Sequence, residues 1–159
     1  MVFSCRMDRI DRKILALLQE DASLPVAAIA DQVGLSTTNC WRRIQKLEND
    51  GFILKRVTLL SPAKLNVGVT VFVLVKTSQH DRAWFERFSD VVMKIPEVME
   101  FYRLSGQADY LLRVVVADIA GYDAVYQELI RNTQLFDVSS SFAMETIKFT
   151  TALPLHHLR

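Results

Sequence analysis

Residues 25–51 read PVAAIADQVGLSTTNCWRRIQKLENDG, and this stretch decides the first part of the fold. Pro25 is a favourable first helical residue. Ile29, Ala30 and Val33 face one way, and Gly34 is a C-terminal stop. Ser36 can cap the amides of a second helix, which runs to Gly51. Helix, short glycine turn and helix form a helix-turn-helix pattern. At about 100° per residue, Cys40, Ile44 and Leu47 share one face of the second helix. Thr38, Arg42, Gln45, Lys46 and Asn49 share the other. Its cations can neutralise phosphates, Arg can bond guanine bidentately, and Gln or Asn can read adenine. Ser36, Thr37 and Thr38 open the helix, where unpaired amides suit a phosphate. Trp41 lies at the edge of this face, where it can pack beneath a neighbouring segment or rest on a sugar. A merely solvated helix face would also be polar. The preceding helix and its glycine turn favour the DNA reading.

Working outward, Asp8 can cap an earlier helix in which Ile10, Ile14, Leu17 and Leu18 form one stripe. That helix ends near Asp21. Downstream, Phe52 to Leu60 reads as an extended wing carrying the basic pair Lys55-Arg56. Pro62 then breaks regular structure. Residues 1–62 carry nine basic and seven acidic side chains, and residues 63–159 carry ten and eleven. The small positive excess therefore lies with the helices. Two domains follow: a winged helix-turn-helix over 1–62 and a second domain over 63–159.

The second domain reads strand, helix, strand, strand, helix, strand. The strands are expected near 67–77, 98–105, 109–117 and 138–152. One helix carries Trp84, Phe85, Phe88, Val91 and Val92, and the other Tyr122, Val125, Tyr126, Leu129 and Ile130. This is the ferredoxin-like βαββαβ order, so the chain is α+β. Both helices cover one sheet face in that plan. Yet Val69, Val71, Val73 and Val75 alternate with Thr70, Phe72 and Leu74, so the first strand is apolar on both sides. Leu111 to Val116 is interrupted only by Arg113. A sheet wet on one face should alternate apolar with polar. A second copy of the chain is the expected cover, related by a twofold axis. Such a pair would present two reading helices to symmetric half-sites.

Composition excludes several classes. The 159 residues are 50% apolar and 23% charged with net charge +1, the balance of a globular protein rather than a polybasic or disordered one. Cys5 and Cys40 are too few for a disulfide framework or a Cys-based metal site. The longest apolar stretch, 67–75, is short of a membrane span. The opening MVFSCRMDR has no apolar core of a signal peptide, so a cytoplasmic location is expected. No phosphate-binding loop, HExxH, GxSxG or CxxC is present, and neither a catalytic site nor a cofactor is expected. His80, His156 and His157 read as surface residues, without a metal-ligand set. Cys40 lies on the core face and reads as a small buried hydrophobe. Between the second and third strands, Ser105-Gly106-Gln107-Ala108-Asp109-Tyr110 reads either as a plain turn or as a pocket. In the pocket, turn amides would bind a carboxylate and Asp109 an ammonium.

Three runs carry a resemblance: Met7 to Leu15, Val33 to Ile53, and Leu104 to Leu112, joined by Ser139 to Phe142 and Thr150 to Leu155. Together they resemble the Lrp/AsnC feast/famine regulators over nearly the whole chain. The resemblance implies a transcriptional regulator that binds double-stranded DNA and forms homodimers, with tetramers or octamers beyond. It implies an amino-acid effector held near the Gly106–Tyr110 loop. Thr37, Thr38, Arg42, Arg43 and Lys46 then fall in the recognition helix. Ser105, Gly106, Gln107, Asp109 and Tyr110 fall in the effector loop, with Ser140 and Ser141 on a neighbouring strand. The chain departs from the family at Thr37 and Asn39, where proline is common. It departs again at Gln107-Ala108, where an acidic–aromatic pair is common. The stretch from Ser141 to Leu155 is most similar to a branch that includes cysteine-responsive activators of thiol detoxification. Two other readings are an architectural DNA protein without an effector, which amino-acid titration separates, and a small ferredoxin-like enzyme, which DNA binding separates.

Overall fold

The computed structural model describes residues 7–79, 81–131, 133 and 135–158. Cys5 and His80 lie outside the described residues. The chain forms two compact units. Residues up to Thr58 and those from Lys148 onward make one, and Leu59–Ile147 make the other.

In the first unit, α1 spans Arg9–Glu20, α2 Val26–Val33 and α3 Thr37–Asn49. The Asp8 carboxylate accepts from the Ile10 and Asp11 amides at 2.8 Å, and the Asp11 carboxylate accepts from the Asp8 amide at 3.2 Å. This reciprocal capping fixes where α1 begins. Pro25 stands just before α2 rather than inside it, with extended backbone, while its carbonyl already accepts from Ala28 and Ile29. Gly34 ends α2 at φ +72°, and the Leu35 amide bonds back to the Ala30 carbonyl. A side chain with a Cβ would be strained there. Ile14, Ile29, Ala30, Val33, Cys40, Ile44 and Leu47 form one core drawn from all three helices. The segment after α3 forms neither helix nor strand, and Leu54 and Val57 are exposed. The expected wing is therefore an unpaired segment, because no described strand of this unit lies beside it.

In the second unit, β1 spans Val69–Lys76, α4 Arg82–Val92, β2 Val98–Arg103, β3 Tyr110–Val116, α5 Ile119–Arg131 and β4 Asp137–Phe142. The strands lie in the order β2-β3-β1-β4, all antiparallel. This is the expected ferredoxin-like sheet. Val71, Val73 and Val75 of β1, and Leu112, Val114 and Val116 of β3, are buried with Trp84, Phe88, Val125 and Leu129 of the two helices. Successive strand residues point to opposite faces. Phe72 and Leu74, on the central strand, therefore face the other way and keep 38% and 37% of their surface exposed.

The last strand is much shorter than 138–152. Phe142 pairs with Val71 and the Ala143 amide reaches Thr70, beyond which β1 has almost no rungs left. Pro62 to Asn66 turns the preceding chain, with Asn66 at φ +56°. The residues beyond, from Lys148, group with the helical unit. Among the described residues no helix is long and apolar enough to cross a membrane.

Leu112, wholly buried in β3, sits where truncation leaves a cavity. Leu112→Ala should destabilise the sheet unit by about 2–5 kcal/mol in chemical denaturation followed by circular dichroism.

Candidate nucleic-acid interface and ligand loop

The Ser36 hydroxyl accepts from the Asn39 amide at 3.3 Å, which starts α3. Cys40, Ile44 and Leu47 point into the core, so the opposite side of the helix is turned outward. Thr37, Thr38, Trp41, Arg42, Lys46 and Asn49 are exposed there. Arg42 makes no ion pair among the described residues. Trp41 keeps 52% of its surface exposed, so about half of the side chain is covered and half faces solvent.

Three of the expected DNA contacts have protein partners, and for Lys46 the partner is Asp50, with Nζ 3.2 Å from Oδ2. Arg43 Nη1 donates to Asp8 Oδ2 at 2.6 Å and to Asp11 Oδ1 at 2.8 Å. The capping carboxylates of α1 thus hold α3 by a charge-assisted fork. The Asp11 amide bond, reinforced by Arg43, holds the Asp8 carboxyl below its ordinary range, and Asp11 and Asp8 push the Arg43 guanidinium up. Gln45 donates to Glu48 at 2.7 Å, and Glu48 in turn pairs with Arg56 at 3.0 Å. Arg43 and Gln45 therefore act first as ties. A helical wheel places Arg43 about 60° from Cys40, beside the core stripe, so its position off the outward face was legible in the spacing, while its partners on α1 were not. The Gln45–Glu48–Arg56 link depends on where the segment after α3 runs, which no periodicity reports.

Cys40 is wholly buried, and burial pushes its thiol pKa up. A thiolate is the reactive form, so this side chain is packing material. His156 and His157 are exposed, and no cluster of metal-ligating side chains occurs among the described residues.

In the second unit, Ser105, Gly106 and Gln107 form an exposed turn between β2 and β3. Gly106 has φ +150° and a Cβ there would meet open space, so the backbone, rather than crowding, is what favours glycine. Asp109 is half-buried, and its Oδ2 accepts from the Thr77 amide at 2.8 Å. Its own amide donates to Val75 and its carbonyl accepts from Leu104. The carboxylate thus ties the start of β3 to the end of β1. Tyr110 is buried, with its ring 5.5–5.9 Å from those of Trp84, Phe85, Phe88 and Phe101. Ser140 and Ser141 point to opposite faces. The Ser140 hydroxyl is hydrogen-bonded to the Tyr122 hydroxyl on α5, while Ser141 pairs across from Phe72 and is exposed. Only Ser105, Gly106 and Gln107 form one accessible group.

These features define a helix-turn-helix DNA-binding regulator joined to a ferredoxin-like module. The chain belongs to the Lrp/AsnC family: residues 7–48 match the AsnC-type helix-turn-helix domain and 70–153 the Lrp/AsnC ligand binding domain. It is 51% identical over 150 residues to a DNA-binding transcriptional activator, DecR, of Escherichia coli, covering 94% of this chain and 99% of the relative. It is 48% identical to the glutamate uptake regulatory protein of Zymomonas mobilis, covering 94% and 92%. An AsnC-family regulator from Agrobacterium tumefaciens superposes with a TM-score of 0.90 at 62% identity, covering 94% and 97%. A Neisseria meningitidis regulator, solved as a complex with L-Met, superposes at 0.91 and 36% identity, covering 96% and 99%. The chain is thus a DNA-binding transcriptional regulator and not an enzyme.

Arg42→Ala should weaken binding to a selected operator by about 1–3 kcal/mol, read by fluorescence anisotropy. Arg43→Ala should instead destabilise the helical unit, by about 1–3 kcal/mol for lost charge-assisted bonds. Since Asp8 has its pKa lowered, its stabilisation is complete above its ordinary value of 3.8 and is lost as pH falls through the lower folded value. Melting curves of Arg43→Ala between about pH 5 and pH 2 should show a weaker acid dependence than wild type. Cys40 should resist a thiol reagent in native Cys5→Ser protein and react once denatured; rapid native labelling would contradict its burial.

Proposed function

We propose that the protein binds operator DNA as a twofold homodimer, or a higher assembly of dimers, joined through the open face of the sheet. An amino acid bound at the Ser105–Gln107 turn then adjusts that binding. One observation carries the first part: the two central strands turn Phe72, Leu74, Leu111 and Val115 away from the helices. Phe72 and Leu74 remain over a third exposed. An apolar band on the central strands has reason to be covered. Arg113 lies in this band, but its Nη2 pairs with Glu100 at 2.7 Å. The charge thus enters an interface already paired. A twofold pair brings two α3 helices to half-sites on one duplex. In each, Arg42 and the Thr37–Thr38 helix start make the central contacts, with Trp41 beside them and Lys46 towards the phosphates.

For the ligand, the exposed turn at Gly106 supplies backbone groups, with Asp109 and Tyr110 as its rigid support. Ser141 is exposed on β4, while Ser140 acts through Tyr122. An amino acid is the favoured class because a relative 36% identical was solved with L-Met and another is named for glutamate uptake. The resemblance to cysteine-responsive activators adds cysteine to the candidates.

Phe72→Glu should lower the solution mass to that of a monomer in light-scattering chromatography and weaken binding to paired half-sites about tenfold or more. An unchanged mass would reject the sheet-face dimer. Titration with cysteine, methionine and glutamate, followed by anisotropy on a selected duplex, tests the ligand. One of them should shift the operator affinity about 5–150-fold, the usual range of allosteric coupling, and Gly106→Arg should abolish the shift while sparing DNA binding. No shift with any amino acid would favour an architectural protein.

A further inference from the structure

The chain passes between its two units twice, once near Thr58 and again near Lys148. After the second passage it settles on α1. The Gln19 side-chain amide donates to the Leu153 carbonyl at 3.0 Å, and its oxygen accepts from the Leu153 amide at 2.9 Å. One side chain thus completes both bonds of a single peptide residue, as a neighbouring strand would. Two turns earlier on α1, Arg12 Nη1 donates to the Leu158 carbonyl. Residues 12 and 19 are seven apart, so they share one face of the helix. That face is opposite the Ile10, Ile14 and Leu17 stripe. The Arg12 Nε is sealed from solvent and has no hydrogen-bond partner among the described residues. An unsatisfied donor is costly, so this contact carries a local penalty, and none of its hydrogen bonds involves a buried residue of the helical core.

We propose that residues 150–158 form a strap that positions the reading helix. The route is short and physical. The strap holds α1 through Arg12 and Gln19, α1 presents Asp8 and Asp11, and those carboxylates hold Arg43, next to Arg42 on α3. Gln19 and Arg12 are positioning residues and need touch no DNA. The similarity to the ligand binding domain runs to residue 153, the very residue that Gln19 grips. The chain leaving β4 is therefore continuous with the segment that holds the DNA-binding unit.

The experiment uses full-length protein and a duplex selected from a random pool by the wild type. Hydrogen exchange should show the Leu153 amide protected in the wild type and released in Gln19→Ala. The same variant should lose about 3–10-fold in affinity for the selected duplex, the effect of about one or two net hydrogen bonds. Its affinity for unrelated DNA, set by phosphate charge, should stay within about twofold. That split separates loss of orientation from general unfolding, which lowers both affinities together. Gln19→Glu keeps an acceptor for the Leu153 amide but no donor for its carbonyl, and should fall between the two. A chain ending at Lys148 should match or exceed the loss in Gln19→Ala. The proposal is overturned if Leu153 exchanges equally fast in wild type and Gln19→Ala. It is equally overturned if the strap is released and the ratio of specific to non-specific affinity does not move.

Discussion

Strand alternation is the constraint on which the rest of this structure depends. Every second residue of β1 and β3 is consumed by α4 and α5, with Val71, Val73, Val75, Leu112 and Val114 wholly buried. The residues between them have nowhere else to go than the opposite face. Phe72, Leu74, Leu111 and Val115 lie there because of backbone geometry, and they are apolar because of sequence. A module built this way meets its own requirement for a core and still presents a second apolar surface. In the twofold pair proposed above, that surplus is the interface, and it sets the separation of the reading helices.

The helical unit shows a related economy of parts. Its apolar core sets which face of α3 is turned outward, while polar side chains set the helix in place. Asp8 and Asp11 begin as capping residues of α1 and end as the anchors of Arg43. The same atoms thus terminate one helix and orient another. Glu48 plays a similar part between Gln45 and Arg56. Such ties are partly exposed, and surface pairs contribute little individually. Here the Arg43 fork is two-point and partly buried, so its chief effect is geometric. It leaves Arg42, one residue earlier, pointing outward with no competing carboxylate among the described residues.

The loop between β2 and β3 separates scaffold from surface. Asp109 has the chemistry to hold an ammonium group, but its carboxylate oxygen serves the Thr77 amide. Tyr110 has a hydroxyl, but its ring completes an aromatic cluster. What remains accessible is Ser105, Gly106 and Gln107. Membership of the Lrp/AsnC family places a ligand-binding function in this module. The division of labour within the loop comes from burial and hydrogen bonding in this chain.

Periodicity alone determined much. The 3.6-residue repeat located α1, α2 and α3, continuous apolar runs located β1 and β3, and the capping residues Asp8 and Ser36 and the stop at Gly34 marked helix ends. These signals are local, because each depends on neighbours within a turn or a rung. The identity of the outward face of α3, and with it Thr38 and Arg42, followed from the same repeat. Tertiary structure decided the partners. It gave Arg43 to Asp8 and Asp11, and Gln45 to Glu48. It set Ser140 and Ser141 on opposite sides of a strand whose pairing ended at Phe142 because β1 ran out of rungs. It also carried residues 150–158 back to α1, over 130 positions away in the chain. A long-range hydrogen bond leaves no periodic trace, since its two ends share no local geometry, and only the folded chain brings them together.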